Sequence, residues 1–294
     1  MKIALFSTYF TEENIQIIRD IHRYLHRDGH QVHLIQSLEK YLRSNYQKYD
    51  YFEPQPFVDS DYDFLFSIGG DGNLLDSVTI VGPTEVPILG INTGRLGFLT
   101  STSKEFYKSG LDLLVNEKFS TVKRTLLEVE ITPYISAIKD LKFALNEVCV
   151  TRKNDVSMLQ IDAALNGEKL TTYWGDGLII CTPTGSTGYS LSVGGPIVSP
   201  ENSCWVLNPI APHNINVRPL VIPDSNTMQL NISGRGTHHL LSLDSRSISL
   251  EYGHLVTVRK ARFSINTVQL QGNSFFRTLQ EKLYWGKDTR NSEQ

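Results

Sequence analysis

The sequence predicts an α/β domain built on a parallel sheet, then a mainly β domain and a closing helix that returns to the first domain. Over the first hundred or so residues, short apolar runs alternate with stretches whose apolar residues recur every three or four positions. From about Phe119 the period shortens to two and turn signals become frequent. Between two of the early elements lies a glycine-rich junction, Gly69-Gly70-Asp71-Gly72. Strands that alternate with helices pair in parallel, so the first domain reads as Rossmann-like, with its ligand crevice outside the carboxyl ends of its strands. The expected division is 1–120 and 121–271, with 272–294 packing back on the first domain.

Ile3 to Phe6 is the first apolar strand. Glu12 to Arg27 follows as a helix with Ile15, Ile18, Ile21 and Leu25 on one face, and Gly29 suits its C-terminal cap. Val32 to Ile35 is the next strand, Leu38 to Tyr49 reads as a polar helix, and Tyr51 to Asp63, with Pro54 and Pro56, reads as a surface loop. Phe64 to Ile68 is a buried strand feeding the glycines, and Leu74, Leu75 and Val78 begin a helix after them. Val86 to Ile91 is another strand, ending in a segment that runs to Leu99. Thr102 and Glu105 fit a capping box for a helix reaching Asn116.

In the second half Ile161, Ala163 and Leu165 lead into Asn166-Gly167, a hairpin signal, with a return strand from Glu168. Further runs are Leu178 to Cys181, Val206 to Leu207, Leu220 to Ile222, Met228 to Ile232, Leu240 to Leu243, Leu255 to Val258 and Phe263 to Leu270. Phe275 to Trp285 is helical again, with Phe276, Leu279 and Leu283 on one stripe.

At 294 residues the chain has ample length for a hydrophobic core, and its net charge of −3 offers no basic surface for nucleic acid or anionic membrane. The three cysteines, Cys149, Cys181 and Cys204, form no C-x-x-C pair and lie in apolar runs, which favours reduced core thiols. No apolar run approaches a membrane span, and the N-terminus is a strand pattern too short for a signal peptide, so a cytoplasmic protein is expected.

The chemistry concentrates in three places. Gly69, Gly70 and Gly72 around Asp71 let backbone amides approach a phosphate at the start of a helix, while the carboxylate can accept a proton or hold a cation. The stretch Asp176 to Pro196 brings five hydroxyl residues, Thr182, Thr184, Ser186, Thr187 and Ser190, interleaved with glycines, a set suited to a sugar or a phosphate. Asn146-Glu147 combines donors and acceptors at the mouth of an apolar strand.

Taken in order, Gly69-Gly70-Asp71-Gly72, the segment from Gly90 to Leu99, Asn146-Glu147, Asp176 to Pro196 and Pro212-His213 with Arg218-Pro219-Leu220-Val221 resemble the NAD kinase family over most of the chain. The resemblance implies transfer of a phosphoryl group from ATP or polyphosphate to the 2′-hydroxyl of the adenosine ribose of NAD, giving NADP. It implies that Asp71 accepts the proton of that hydroxyl and that Gly72 contacts the dinucleotide. Asn146 and Glu147 would bind its ribose or nicotinamide side, and Asp176 its nicotinamide end, from a neighbouring subunit. Thr187, Gly188, Tyr189, Ser190, Leu191 and Ser192 would line the adenine and ribose region, with Phe98 near adenine. It implies Mg²⁺ carried by the donor and a homodimer or homotetramer, with no nucleic acid or membrane partner.

Three positions depart from the family pattern: Trp174, a candidate substrate contact, stands where many relatives have a basic residue, Gly188 replaces an alanine, and Ser245 follows Asp244 where glycine is frequent. No Gly-Lys-Ser/Thr phosphate loop is present, so the donor must be held differently. Two other classes remain in view. A lipid kinase of the diacylglycerol or sphingosine type shares Gly-Gly-Asp-Gly but continues with Thr where this chain has Asn73, and a dinucleotide sensor would not need Asp71. A dehydrogenase would want G-x-G-x-x-G after the first strand, which is missing at Phe6. His238 and His239, adjacent in a strand, point to opposite faces and so read as structural rather than as a metal pair.

Overall fold

The computed structural model describes residues 1–42, 48–57, 61–94, 97–139, 142–153 and 158–285. The chain divides into two units, Met1–Lys123 with Ile265–Gln294, and Arg124–Ser264.

In the first unit five parallel strands lie in the spatial order Asp50–Phe52, Gln31–Ile35, Lys2–Phe6, Phe64–Ile68, Ile88–Asn92. The chain starts in the middle of this sheet, winds out to one edge, and returns to wind out to the other. The order therefore reverses at Lys2–Phe6 and Phe64–Ile68, where Ile3 lies opposite Phe64. A doubly wound sheet opens its ligand crevice beyond the strand ends at such a switch point. Gly69 to Gly72 leave the sheet there.

The helix Glu12–Arg27 has the bounds its periodicity predicts. Thr11 accepts the Asn14 amide at 3.2 Å at its start, acidic Glu12 and Glu13 sit in its first turn, and Ile15, Ile18, Ile21 and Leu25 are buried. Gly29, at φ +81°, closes it by donating its N–H to the His26 carbonyl.

Several expectations need correction. Of the polar helix expected over 38–49, the described residues hold a 3₁₀ turn at Gln36–Leu38 and a helical turn at Glu39–Leu42, while 48 and 49 are not helical; residues 43–47 lie outside the described residues, as do 58–60 of the expected loop. Asp50–Phe52 is a strand, because the open edge of Gln31–Ile35 takes its backbone groups, with Tyr51 opposite Leu34. Thr102 does not cap a helix. Thr102 and Ser103 instead pair with Ile91 and Asn92, Glu105 accepts the Ser103 hydroxyl, and the helix runs Tyr107–Val115 without a side-chain cap. The C-terminal helix is Phe275–Leu283, begun by Ser274 accepting the Arg277 amide at 3.2 Å. Its inner stripe passes through Phe275, Leu279 and Leu283 at i, i+4 spacing. Phe276, one step round the helix, is 66% exposed and does not belong to it. Residues 286–294 of the tail lie outside the described residues.

In the second unit two antiparallel layers enclose one core. One has the order Leu220–Pro223, Cys204–Ile210, Gly177–Cys181, Glu147–Arg152, His238–Leu243, Arg246–Glu251. The other contains Glu168–Gly175, Leu159–Leu165, Met228–Ser233 and the first half of Leu255–Leu270. Fully buried Trp205 joins Leu127, Val150, Ile161, Leu178 and Leu230 in the core. Asn166 and Gly167 take φ of 53° and 85°, the two left-handed residues of a tight hairpin.

Leu255–Leu270 is one strand rather than two, because its basic interruption is neutralised by neighbours. Arg259 meets Glu128 and Glu130 at 3.1 Å each, and Lys260 meets Asp224 at 2.6 Å. The unit boundary falls inside this strand, and Thr267 lies opposite Ile88. Arg246–Glu251, which the period-two reading missed, returns from His238–Leu243 through Asp244 and Ser245. All three cysteines are free, and burial pushes the Cys149 and Cys181 thiols up to about 12. Among the described residues no helix is long and apolar enough to cross a membrane.

Candidate active site

In the first unit the Phe64–Ile68 strand is buried along its whole length, so the turn that follows starts from a fixed point. Asn73 ties that turn to the next strand end. Its Oδ1 accepts the Thr8 amide at 2.7 Å and the Thr8 hydroxyl at 2.9 Å, and its Nδ2 donates to Ser67 Oγ at 2.7 Å. Gly69 is required by this packing, because a Cβ there would stand 2.7 Å from Asn73 Cβ.

Asp71 is the first residue of the helix Asp71–Val81, with Gly70 as its N-cap. The carboxylate sits at the positive end of the helix, and two further amides hold it: Phe98 N–H donates to Oδ2 at 2.7 Å and Leu99 N–H to Oδ1 at 3.2 Å. Gly97 makes the seat. A Cβ on it would lie 1.7 Å from Asp71 Oδ1. Gly97 is itself held by its N–H to Thr100 Oγ1 at 3.1 Å. A Cβ on Gly70 or Gly72 would meet nothing within 4 Å. Those two glycines therefore leave space beside the carboxylate that no described residue fills. Phe98 is half-buried with the Lys282 ammonium 5.5 Å from its ring centre. Arg95 and Leu96 of the Gly90 to Leu99 segment lie outside the described residues.

In the second unit Asn146 and Glu147 open the Glu147–Arg152 strand, and Asp244 fastens them. Its carboxylate accepts the amides of Leu145, Asn146 and Glu147 at 2.8, 2.8 and 3.1 Å. Asn146 Oδ1 and Glu147 Oε2 are buried without a hydrogen-bond partner among the described residues. Burial, and then the charge of Asp244, push Glu147 up to about 7, against the pull of the Tyr189 amide.

The hydroxyl-rich stretch packs directly on this turn. A Cβ on Gly185 would stand 2.0 Å from the Asn146 carbonyl oxygen, and one on Gly188 3.0 Å from Glu147 Oε2. Most of its hydroxyls build the turn itself. Thr182 donates to the Leu145 carbonyl at 2.6 Å, Ser186 Oγ accepts the Val198 amide at 2.9 Å, Thr187 donates to the Thr184 carbonyl at 3.1 Å, and Ser190 Oγ accepts Asn208 Nδ2 at 3.1 Å. What the stretch leaves open is the Tyr189 ring, 43% exposed, with Leu191 half-buried and Ser192 exposed beside it.

Asn146, Glu147, Gly188 and Tyr189 thus come together, and burial first, then nearby Cys149, Asp176 and Glu147, raise Tyr189. Asp176 pairs with Arg152 at 3.1 Å. Trp174, two residues before Asp176, lines a hollow of about 550 Å³ with Gln160, Asp162, Thr172 and Asn231. Arg218, in the last family-like segment, donates to the Val217 carbonyl at 2.9 Å. His239 is fully buried and stacked on Tyr252, and burial lowers it to about 4, while half-buried His238 faces Glu251 at 3.6 Å. Among the described residues no three His, Cys, Asp or Glu side chains gather as a metal cluster.

Sequence reasoning gave no individual role to Gly97, the Leu99 amide or Asp244. A glycine between Leu96 and Phe98 in an otherwise bulky run was the signal for the first; for the second, an amide, no residue type could have served. Asp244 had only its place before Ser245 between two alternating runs.

A lone carboxylate held by amides at a helix start, beside glycines that leave room and without a lysine-bearing phosphate loop, suits transfer of a phosphoryl group to an alcohol. The fold and this site fit a phosphotransferase with an alcohol acceptor. Comparison with known proteins narrows the class. The family model for the ATP-NAD kinase N-terminal domain matches residues 11–119, and that for the ATP-NAD kinase C-terminal domain matches residues 145–270. The chain is 44% identical to an NAD kinase of Flavobacterium psychrophilum and 43% identical to one of Christiangramia forsetii, covering 99% of this chain and 100% of each relative. A yeast NADH kinase solved with NADH shares the fold, with a TM-score of 0.88 at 24% identity over 100% of this chain and 90% of that one. An Archaeoglobus fulgidus NAD kinase solved with ATP has a TM-score of 0.73 at 26% identity, over 97% of this chain and 99% of that one. The chain belongs to the ATP-NAD kinase family. The lipid-kinase alternative is not favoured by these relatives.

Proposed function

We infer that this protein phosphorylates NAD to NADP as its relatives do, with ATP as the donor and the 2′-hydroxyl of the adenosine ribose as the acceptor. The observation that carries the reading is the seat of Asp71, whose two oxygens are fixed by the Phe98 and Leu99 amides beside the open glycines Gly70 and Gly72.

In this reading Asp71 takes the proton of the 2′-hydroxyl as that oxygen bonds to the γ-phosphorus of ATP and the bond to the β-phosphoryl oxygen breaks, releasing ADP. Such a transfer needs a positioned base and charge neutralisation more than covalent chemistry, and general-base assistance is worth about 10²–10⁴ in rate. Mg²⁺ enters with ATP as part of the donor. The amides at the start of Asp71–Val81 favour negative charge on the phosphates, and Gly69, Gly70 and Gly72 let those phosphates approach. Asn146 and Glu147 supply acceptors to the ribose hydroxyls or nicotinamide side. Gly188, Tyr189 and Leu191 offer a face to the adenine, with Thr187, Ser190 and Ser192 around it. Asp176 takes the nicotinamide end, and Trp174 contacts the dinucleotide. A cytoplasmic homodimer or homotetramer completes the reading and rests on family resemblance; light scattering of the purified protein tests the assembly.

The reaction is tested by incubating the protein with NAD, ATP and Mg²⁺ and detecting product with a strictly NADP-dependent dehydrogenase. NADP accumulation is the expected result. Binding of NAD without product from ATP or polyphosphate would turn the reading toward a dinucleotide sensor.

A further inference from the structure

We infer that Asp244 is the positioning residue of the acceptor-binding turn, fixing residues 145–147 so that Asn146 Oδ1 and Glu147 Oε2 are presented as paired acceptors to the hydroxyls of a ribose diol. The inference rests on the reading that Asn146 and Glu147 bind the dinucleotide, and it adds a residue that touches no substrate.

Three consecutive backbone amides converging on one carboxylate form a nest, a geometry that proteins use to hold anions. Here the chain supplies the anion from a turn almost a hundred residues away. The Asp244 side chain is 2% exposed; Oδ2 accepts Leu145 N–H, and Oδ1 accepts both Asn146 and Glu147 N–H. The lock is reciprocal, because Asp244 N–H donates to the Glu147 carbonyl at 3.0 Å. Asp244 has φ of 52°, a left-handed conformation that Asp tolerates better than most residues. A two-residue hairpin turn needs no carboxylate, so the side chain's work lies in the segment it holds.

That work has a visible result. Among the described residues Asn146 Oδ1 and Glu147 Oε2 are buried without a partner, each costing free energy until a donor arrives. A ribose diol brings two hydroxyl donors at adjacent carbons, which matches two acceptors on neighbouring residues. Gly188 keeps the Glu147 acceptor open, since a Cβ there would come within 3.0 Å of Oε2.

The nest also carries a charge. Facing Glu147 are the Asp244 carboxylate from the hairpin, the Tyr189 amide from the short helix Tyr189–Ser192, Cys149 on its own strand and Cys181 on the next, with Arg246 3.9 Å from Asp244. Both thiols stay neutral through the physiological range, being pushed up to about 12. Burial pushes the Asp244 carboxyl up as well, against the pull of the three amides and Arg246, and in its charged form it is the negative group that adds to burial in raising Glu147 to about 7. Ionised Glu147 is the better acceptor, so affinity for NAD should rise as pH passes upward through that value and level off above it.

The test is calorimetric titration of the full chain with NAD, without donor, from pH 5.5 to 8.5, for the wild type, Asp244→Asn, Asp244→Glu and Glu147→Gln. Wild-type Kd should tighten with an inflection near pH 7. Glu147→Gln should bind about tenfold more weakly at pH 8 and show no inflection. In Asp244→Asn the inflection should move down by about one pH unit as the like charge disappears, with weaker binding at pH 8 because one carboxamide cannot hold all three amides. Asp244→Glu keeps the charge but displaces the nest, so the inflection should stay near 7 while binding weakens. Wild-type affinity and inflection in Asp244→Asn would overturn the inference, as would wild-type affinity in Asp244→Glu should the first variant not fold. Wild-type binding by Glu147→Gln at every pH would instead remove the binding role of the turn itself.

Discussion

Replacing Gly97 with alanine is expected to disable catalysis while leaving the protein folded. The new Cβ would stand 1.7 Å from Asp71 Oδ1 and 2.3 Å from its Cγ, where ordinary contact begins at 3.4 Å. Either the carboxylate or the backbone of 97–99 must retreat by roughly 1.5 Å to restore contact distance. The bonds from Phe98 N–H at 2.7 Å and Leu99 N–H at 3.2 Å cannot both survive that movement. A misplacement of about 1 Å at a reacting group costs on the order of 10²-fold in rate, so kcat should fall about 10²- to 10³-fold. Crowding in a well-packed site costs about 1–3 kcal/mol of stability, which a urea titration reads as a lower midpoint with unchanged slope. The assay is coupled NADP formation over a range of NAD concentrations, and KM for NAD should change far less than kcat. A Gly97→Ala protein with wild-type kcat would refute the claim that this seat positions the base.

Asn73→Ala should lower stability by about 2–4 kcal/mol, since it strands the Thr8 amide, the Thr8 hydroxyl and Ser67 Oγ around a buried site; chemical denaturation checks this. Leu279→Ala in the C-terminal helix, where Leu279 is 2% exposed, should cost about 2–4 kcal/mol, and Phe276→Ala, at 66% exposure, far less; thermal melts of the two variants make the comparison. Glu147 shapes stability against pH. Its folded value of about 7 lies above the ordinary 4.5, so its contribution is fully present below about pH 4.5 and is lost as pH rises through about 7. Over that window the wild type should lose about 3 kcal/mol relative to Glu147→Gln, measured as the difference between urea midpoints at successive pH values.

Much of the fold was legible because one period or the other dominates each segment. Glu12–Arg27 could be read to the residue, since its apolar stripe and Gly29 stop agree. Asn166-Gly167 specified its hairpin for the same reason. Thr102 and Glu105 misled because a capping pattern is local, whereas Thr102 is claimed by the distant edge of Ile88–Asn92. Arg259 to Arg262 looked like a break because the acids that pair with Arg259 and Lys260 come from elsewhere in the chain. At the site, Asp71, Asn146 and Glu147 could be picked out by type and order. The supports of those residues could not, because Gly97 acts through a missing atom and Asp244 acts on backbone amides almost a hundred residues away. The hydroxyls of Thr182 to Ser190 were visible in the sequence, yet most of them are engaged within their own turn.

The most direct measurement of the central claim is a comparison of kcat and NAD affinity between the wild type and Asp71→Asn, with ATP and Mg²⁺ saturating. The carboxamide keeps the size of the side chain and an acceptor for one of the two amides, but it cannot take a proton. The account predicts near-native NAD binding and folding with kcat lower by about two to four orders of magnitude. Turnover at the wild-type rate in Asp71→Asn would contradict it and require another group to receive the hydroxyl proton.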